Sequence, residues 1–191
     1  MFPSHAVILK AKQGEFEALG NLDAQTKPKV LPLFEVSRLT DAIRARKYIS
    51  TSSAPTMTHI NRVLDEVGKA WLTRPAMVDG YQWAPDARAE NGDHVIAYMV
   101  SRLSALGVLV IPVIGYDRWD NAEYRLGVQG ILPPDDGHYC LRLDSSAIED
   151  VAEPEHFRRT IENIIDYLQL NPARCSVLLD FADISVARQS T

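Results

Sequence analysis

Four carboxylates, Glu35, Asp79, Asp144 and Asp180, each close a short apolar run, and the basic residues Lys10, Lys12 and Arg142 lie at or beside the ends of such runs. Clustered carboxylates hold hard cations such as magnesium through oxygen, and a lysine or arginine beside them clamps a phosphate. If the seven residues converge, the sharpest enzymatic reading is magnesium-assisted phosphodiester cleavage, with Glu35, Asp79, Asp144 and Asp180 as metal ligands. The competing reading is structural. Glu35, Asp79 and Asp180 would pair with Lys10, Lys12 and Arg142 as an ionic layer, because a buried charge must find a partner.

Other chemistries are poorly supplied. His5 and His138 open apolar runs, His59, His94 and His156 fall in the first turns of expected helices, and none is paired at metal-ligand spacing, which argues against zinc. Ser52, Ser53, Ser145 and Ser146 lack the Gly-x-Ser-x-Gly elbow of a serine hydrolase, and Ser145 reads as a helix cap. Cys140 and Cys175 lie within apolar runs, where a thiol acts as a small apolar residue rather than half of a disulfide.

The elements that must position the charges follow from the runs. These are Ala6 to Leu9 ending at Lys10, Val30 to Phe34 at Glu35, Ala76 to Val78 at Asp79, Val108 to Ile114 at Tyr116 and Asp117, Tyr139 to Leu143 at Asp144, and Ser176 to Leu179 at Asp180. The strands are expected at His5–Lys12, Val30–Val36, Ala76–Tyr81, Val108–Ile114, His138–Leu143 and Cys175–Asp183. Between them come helical stripes: Phe16, Leu19 and Leu22; Ile60, Val63, Leu64, Val67 and Trp71; Ile96, Met99, Val100, Leu103 and Leu106; and Phe157, Ile161, Ile164, Ile165 and Leu168. Asp93 stands where the third of these helices needs a cap, Pro154 opens the fourth, and Asp117 to Val128 gives only a modest helical pattern. Trp83 to Gly92 reads as loop.

Repeated β-α units make either a barrel or an open doubly wound sheet. The turn after the first strand, Lys10-Ala11-Lys12-Gln13-Gly14, contains neither Gly-x-Gly-x-x-Gly nor Gly-x-x-x-x-Gly-Lys, so those phosphate cradles are absent. Polar residues at successive strand ends suit a barrel, whose site is drawn from many strands. The expected fold is therefore α/β: a single domain over residues 1–191 forming an incomplete TIM-barrel-like parallel sheet of about six strands in sequence order, with Val108–Ile114 the most buried. Missing strands leave an open edge at Cys175–Asp183, which calls for self-association or a protein partner. Tyr81, Trp83, Tyr116 and Trp119 follow strands three and four and are candidate partner anchors. The alternative is that they cap the layer between sheet and helices.

Three stretches carry a family resemblance: Val7-Ile8-Leu9-Lys10-Ala11-Lys12-Gln13-Gly14-Glu15, Leu31-Pro32-Leu33-Phe34-Glu35-Val36, and Leu178-Leu179-Asp180-Phe181-Ala182-Asp183. In their order and spacing they resemble the phage and bacterial family called "beta protein". Its members continue past the last motif with further β-α units, so the match would cover the N-terminal half to two-thirds of the family pattern. That resemblance implies a role in phage-host conflict, as a phage protein or a component of bacterial antiviral defence.

Composition sets outer bounds. A net charge of -5 argues against an ordinary basic nucleic-acid face while leaving room for a local basic patch. The longest apolar stretch, Leu106 to Gly115, is far short of the roughly 20 residues of a membrane span. With no leader-like N-terminus, the expected location is cytoplasmic, away from membranes. A non-catalytic binding or assembly protein is the favoured reading.

Overall fold

The computed structural model describes residues 3–131 and 137–181. Six strands alternate with helices: β1 His5–Leu9, α1 Gln13–Gly20, β2 Val30–Glu35, α2 Asp41–Arg44, α3 Lys47–Ser50, α4 Pro55–Ala70, β3 Pro75–Asp79, α5 Val95–Ala105, β4 Leu109–Gly115, α6 Ala122–Gln129, β5 Tyr139–Leu143, α7 Ser145–Asp150, α8 Pro154–Leu168 and β6 Cys175–Leu179. All neighbouring strands pair in parallel, in the order β1-β2-β3-β4-β5-β6. The sheet is a curled half-barrel, as the strand-end pattern predicts. The part of the last expected strand at residues 182 and 183 lies outside the described residues.

Strand periodicity divides the core in two. The register aligns Ile8 with Leu33, Leu33 with Met77 and Met77 with Ile111, and these residues line the concave face. Leu33, Met77, Val113 and Cys140 form the buried cluster there, flanked by Leu31, Ile111 and Leu178. Alternate residues such as Phe34, Val78, Ile114 and Leu141 face the helices and join the larger core with Ile60, Leu64, Met99, Leu103 and Ile164. Trp71 is in that core, 1% exposed, and donates its indole N–H to Pro75 O at 2.8 Å.

Strand β4 is not the most buried. Its first residue, Leu109, is 60% exposed, whereas β3 and β5 are buried over most of their length. The physical reason is curvature without closure: Leu109 shares the parity of Ile111 and Val113, so it faces the open N-terminal end of the half-barrel.

Helix starts also differ from the sequence expectation. His94, not Asp93, caps α5, with Nδ1 accepting from Ile96 N–H at 3.3 Å, while Asp93 accepts from Asn91. Asp144, not Ser145, caps α7 through Ala147 N–H. The start of α4 receives its cap from a distant loop: Glu90 accepts from the amides of Thr56 and Met57 at 2.8 and 3.0 Å. Burial raises the Glu90 pKa, but these amides outweigh it and hold the carboxyl below its ordinary range.

His94 is 5% exposed, and its Nε2 lies 2.8 Å from Pro85 O, so the neutral tautomer donates there and accepts at Nδ1. A Cβ added to Gly127 would lie 2.3 Å from its Cγ, so only glycine lets α6 pass this ring. Burial, aided by the charges of Arg88 and Arg118, lowers the His94 pKa against the opposing Pro85 bond. Burial likewise lowers that of His59. Below about pH 6.5 the unfolded chain takes up protons that these two rings resist in the fold, so stability is full above that pH and declines beneath it. Each histidine contributes at most about 1.4 kcal/mol per pH unit. Urea unfolding between pH 7.5 and 5.5 should show this decline, and His94→Asn, which keeps a capping acceptor, should flatten part of it.

Candidate functional site: an ionic layer at the strand ends

The last inward-facing position of several strands is charged. Glu35 and Asp79 stand opposite each other at the ends of β2 and β3, and Arg142 is the last inward residue of β5. Arg142 is 2% exposed and its guanidinium is shared among three carboxylates. Nη1 donates to Asp79 Oδ2 at 2.7 Å, Nη2 lies 2.7 Å from Glu35 Oε1, and Nε donates to Asp180 Oδ2 at 3.0 Å while Nη2 contacts the same oxygen. The contact with Glu35 Oε1 is an ion pair without hydrogen-bond alignment. Tyr81 lies against the group, its ring centre 3.9 Å from the Arg142 Cζ.

The layer continues on both sides. Lys10 pairs with Glu35 Oε2, and Arg118 donates to Asp79 Oδ1 at 2.9 Å and to Asp117 at 3.2 Å. Both Asp79 oxygens are thus held by guanidinium groups. Burial would favour the uncharged arginines, yet Asp79 with Asp180 and Glu35 holds Arg142 charged, and Tyr124, Asp79 and Asp117 do the same for Arg118. Asp117 is different: burial, against the pull of Arg118, raises its pKa above the usual carboxylate range.

Arg118 is the residue that sequence reasoning missed. It lies in a short 3-10 turn, Tyr116–Arg118, directly after β4, among the singled-out residues Tyr116, Asp117 and Trp119. The available signal was a basic residue four positions past the expected strand end, directly after Asp117. Its seat depends on Gly115, because an added Cβ would meet Arg118 Nη2 at 2.0 Å and Nε at 2.5 Å. The Gly115 amide donates to Tyr124 OH, whose ring lies under the guanidinium with its centre 5.0 Å from Cζ. Burial pushes the Tyr124 pKa up to about 12.

The expected residues therefore divide. Lys10, Glu35, Asp79, Arg142 and Asp180 meet in one layer. Asp144, buried on the same edge, is occupied by the start of α7 through Ala147 N–H and Ser146. Lys12 does not join: Ala11 has a left-handed φ of 53°, and the turn sends Lys10 to Glu35 while Lys12 opens α1 at an exposed position. Among the described residues, no group of three or more His, Cys, Asp or Glu side chains is placed to hold a metal ion.

The aromatics divide too. Tyr116 and Trp119 are 6% and 3% exposed, which corrects their reading as surface anchors. Tyr116 stacks on Phe157 and donates to Asp150, and Trp119 meets Tyr167 edge-on and donates to Asn163. They cap the helix layer because their polar ends find partners on α7 and α8. Trp83 is half-buried and donates to Val36 O at 3.0 Å, and Tyr81 covers Arg142. Cys140 and Cys175 are free thiols, with burial pushing the Cys140 pKa up to about 12.

Removing one member of a buried pair strands the other, at a cost of roughly 3–5 kcal/mol. Asp79→Asn should destabilise the protein by about that amount in urea unfolding, since it leaves two buried guanidinium groups short of charge. Glu35→Gln should cost less, because Lys10 is half exposed and water can solvate it. Equal, near-zero effects would show that the layer does not support the fold.

No helix among the described residues is long and apolar enough to cross a membrane. No curated protein and no solved structure matches the chain. A family model described as Beta protein matches residues 7–191, which includes the strand ends that build the ionic layer. The chain is a member of the Beta protein family.

Proposed function

We propose that this protein is a non-catalytic binding or assembly component in phage-host conflict, and that it docks through the free edge of β6. The observation that carries the reading is the state of that edge. Val177, Leu179 and Phe181 are 58%, 55% and 61% exposed, and among the described residues β6 has a neighbouring strand on one side only. An exposed apolar edge strand is a template for another strand. The family's phage and bacterial distribution supports the biological setting, by association alone.

The paired state of the strand-end charges supports the same reading over magnesium-assisted phosphodiester cleavage. For Asp79 to ligate a metal, Arg142 or Arg118 would have to release it. The layer as it stands is a closed set of ion pairs rather than an open carboxylate cup.

The backbone supplies a specific test. Asp180 donates its N–H to Leu143 O at 2.8 Å, so by strand alternation the N–H groups of Val177 and Leu179 face the free edge. Val177→Pro would delete one such donor and leave the β5-β6 ladder intact. Light scattering at micromolar concentration should report a dimer or larger species for the parent chain and a monomer for Val177→Pro, with similar melting temperatures. A specific contact should bury at least about 1,000 Å² in total. A parent chain that stays monomeric, and whose expression leaves phage plating efficiency unchanged, would overturn the proposal.

A further inference from the structure

A cleft of about 1100 Å³ opens between α1 and α4, beneath the α2–α3 segment. Its wall carries Lys12 at the head of α1, Arg46 at the start of α3, and Arg62 on α4. Of the other charges in the wall, Lys69 pairs with Glu66 at 2.7 Å, Lys10 pairs with Glu35, and Glu17 on α1 accepts from the Gln13 side chain at 2.9 Å. Among the described residues, no carboxylate lies within ion-pair distance of Lys12, Arg46 or Arg62, although the chain as a whole carries a net charge of -5.

The two arginines are gathered on one side chain. Arg46 Nη1 lies 3.5 Å from Tyr48 OH, and Arg62 Cζ lies 4.6 Å from the Tyr48 ring centre. Both arginines are exposed, so water screens their repulsion, and an anion placed between them would gain a favourable contact with each. The Arg46 charge is felt locally: together with the larger effect of burial it lowers the pKa of His59, also in the cleft wall. A guanidinium presents a planar fork matched to phosphate oxygens, and a lysine adds a point charge. The volume lies just above the usual range for small-molecule sites, about 300–1,000 Å³.

We infer that this cleft binds a small ligand bearing a chain of phosphates, of nucleoside triphosphate size, with Arg46 and Arg62 as the forks and Lys12 as a third contact. The site lies apart from the β6 edge and does not depend on the assembly reading. Calorimetry and thermal melting at low salt, with sodium tripolyphosphate and with ATP as probes, test it. Binding should be measurable for the parent chain and at least tenfold weaker in Arg46→Glu/Arg62→Glu. It should be unchanged in Arg158→Glu, at an exposed position on α8. Tighter binding of ATP than of tripolyphosphate would assign the ligand to the nucleotides, and equal binding to inorganic polyphosphate. Lys12→Glu, at an exposed position outside the Tyr48 pair, gives a second reading if the double variant folds poorly, with an expected loss of about threefold or more. No binding of either probe, affinity unaltered in these variants, or binding only of a single-stranded oligonucleotide would overturn the inference.

Discussion

One guanidinium joins strands that a flat sheet would keep apart. Arg142 on β5 touches Glu35 on β2 and Asp180 beyond β6. With strands spaced 4.7–4.9 Å, β2 and β5 would be roughly 14 Å apart in an uncurled sheet and β2 and β6 roughly 19 Å. The bridge exists only because the sheet curls, and it in turn resists uncurling. In a complete barrel that restraint comes from hydrogen bonds between first and last strands; here ion pairs inside the mouth supply it. Taking such charges out of water is expensive, which makes the layer a source of specificity for one curvature more than a source of net stability.

The concave face is graded along its length. Its C-terminal end is ionic, its middle apolar, and its N-terminal end opens to solvent at Leu109, while at the β1 margin Ile8, level with Leu33, is 41% exposed. Glycine marks the closest approaches around this arrangement. Gly115 gives Arg118 its seat beside Asp79, and Gly127 lets α6 pass His94, whose own cap starts α5. The helix layer meets the ionic layer at Gly115 and packs on itself at Gly127, two backbone positions where a methyl group has no room.

The fold was legible because its signals are local. Apolar runs ending in polar residues, at helical intervals, locate six strands, and the absence of glycine-rich turns selects a barrel-like curl over a doubly wound sheet. The convergence of Lys10, Glu35, Asp79, Arg142 and Asp180 followed from the same reasoning, since a charge at the inward position of a strand end has few places to go. What escaped depends on non-local packing. Glu90 caps a helix more than thirty positions away in the chain. Tyr116 and Trp119 look like rim aromatics until Asp150 and Asn163 on later helices satisfy their polar atoms. The exposure of Leu109 follows from an open barrel end that its apolar neighbours do not reveal.

A parallel sheet has two unlike margins, here β1 and β6, and that asymmetry governs what kinds of assembly are geometrically open. Pairing β6 with a second β6 across a two-fold axis is antiparallel and self-limiting, giving a closed dimer. Pairing β6 with the β1 of the next molecule preserves strand direction but is heterologous, so it closes into a ring only if the rotation between copies divides a full turn. If it does not, the contact propagates. The same free strand can therefore specify either a finite particle or a filament, according to which margin receives it.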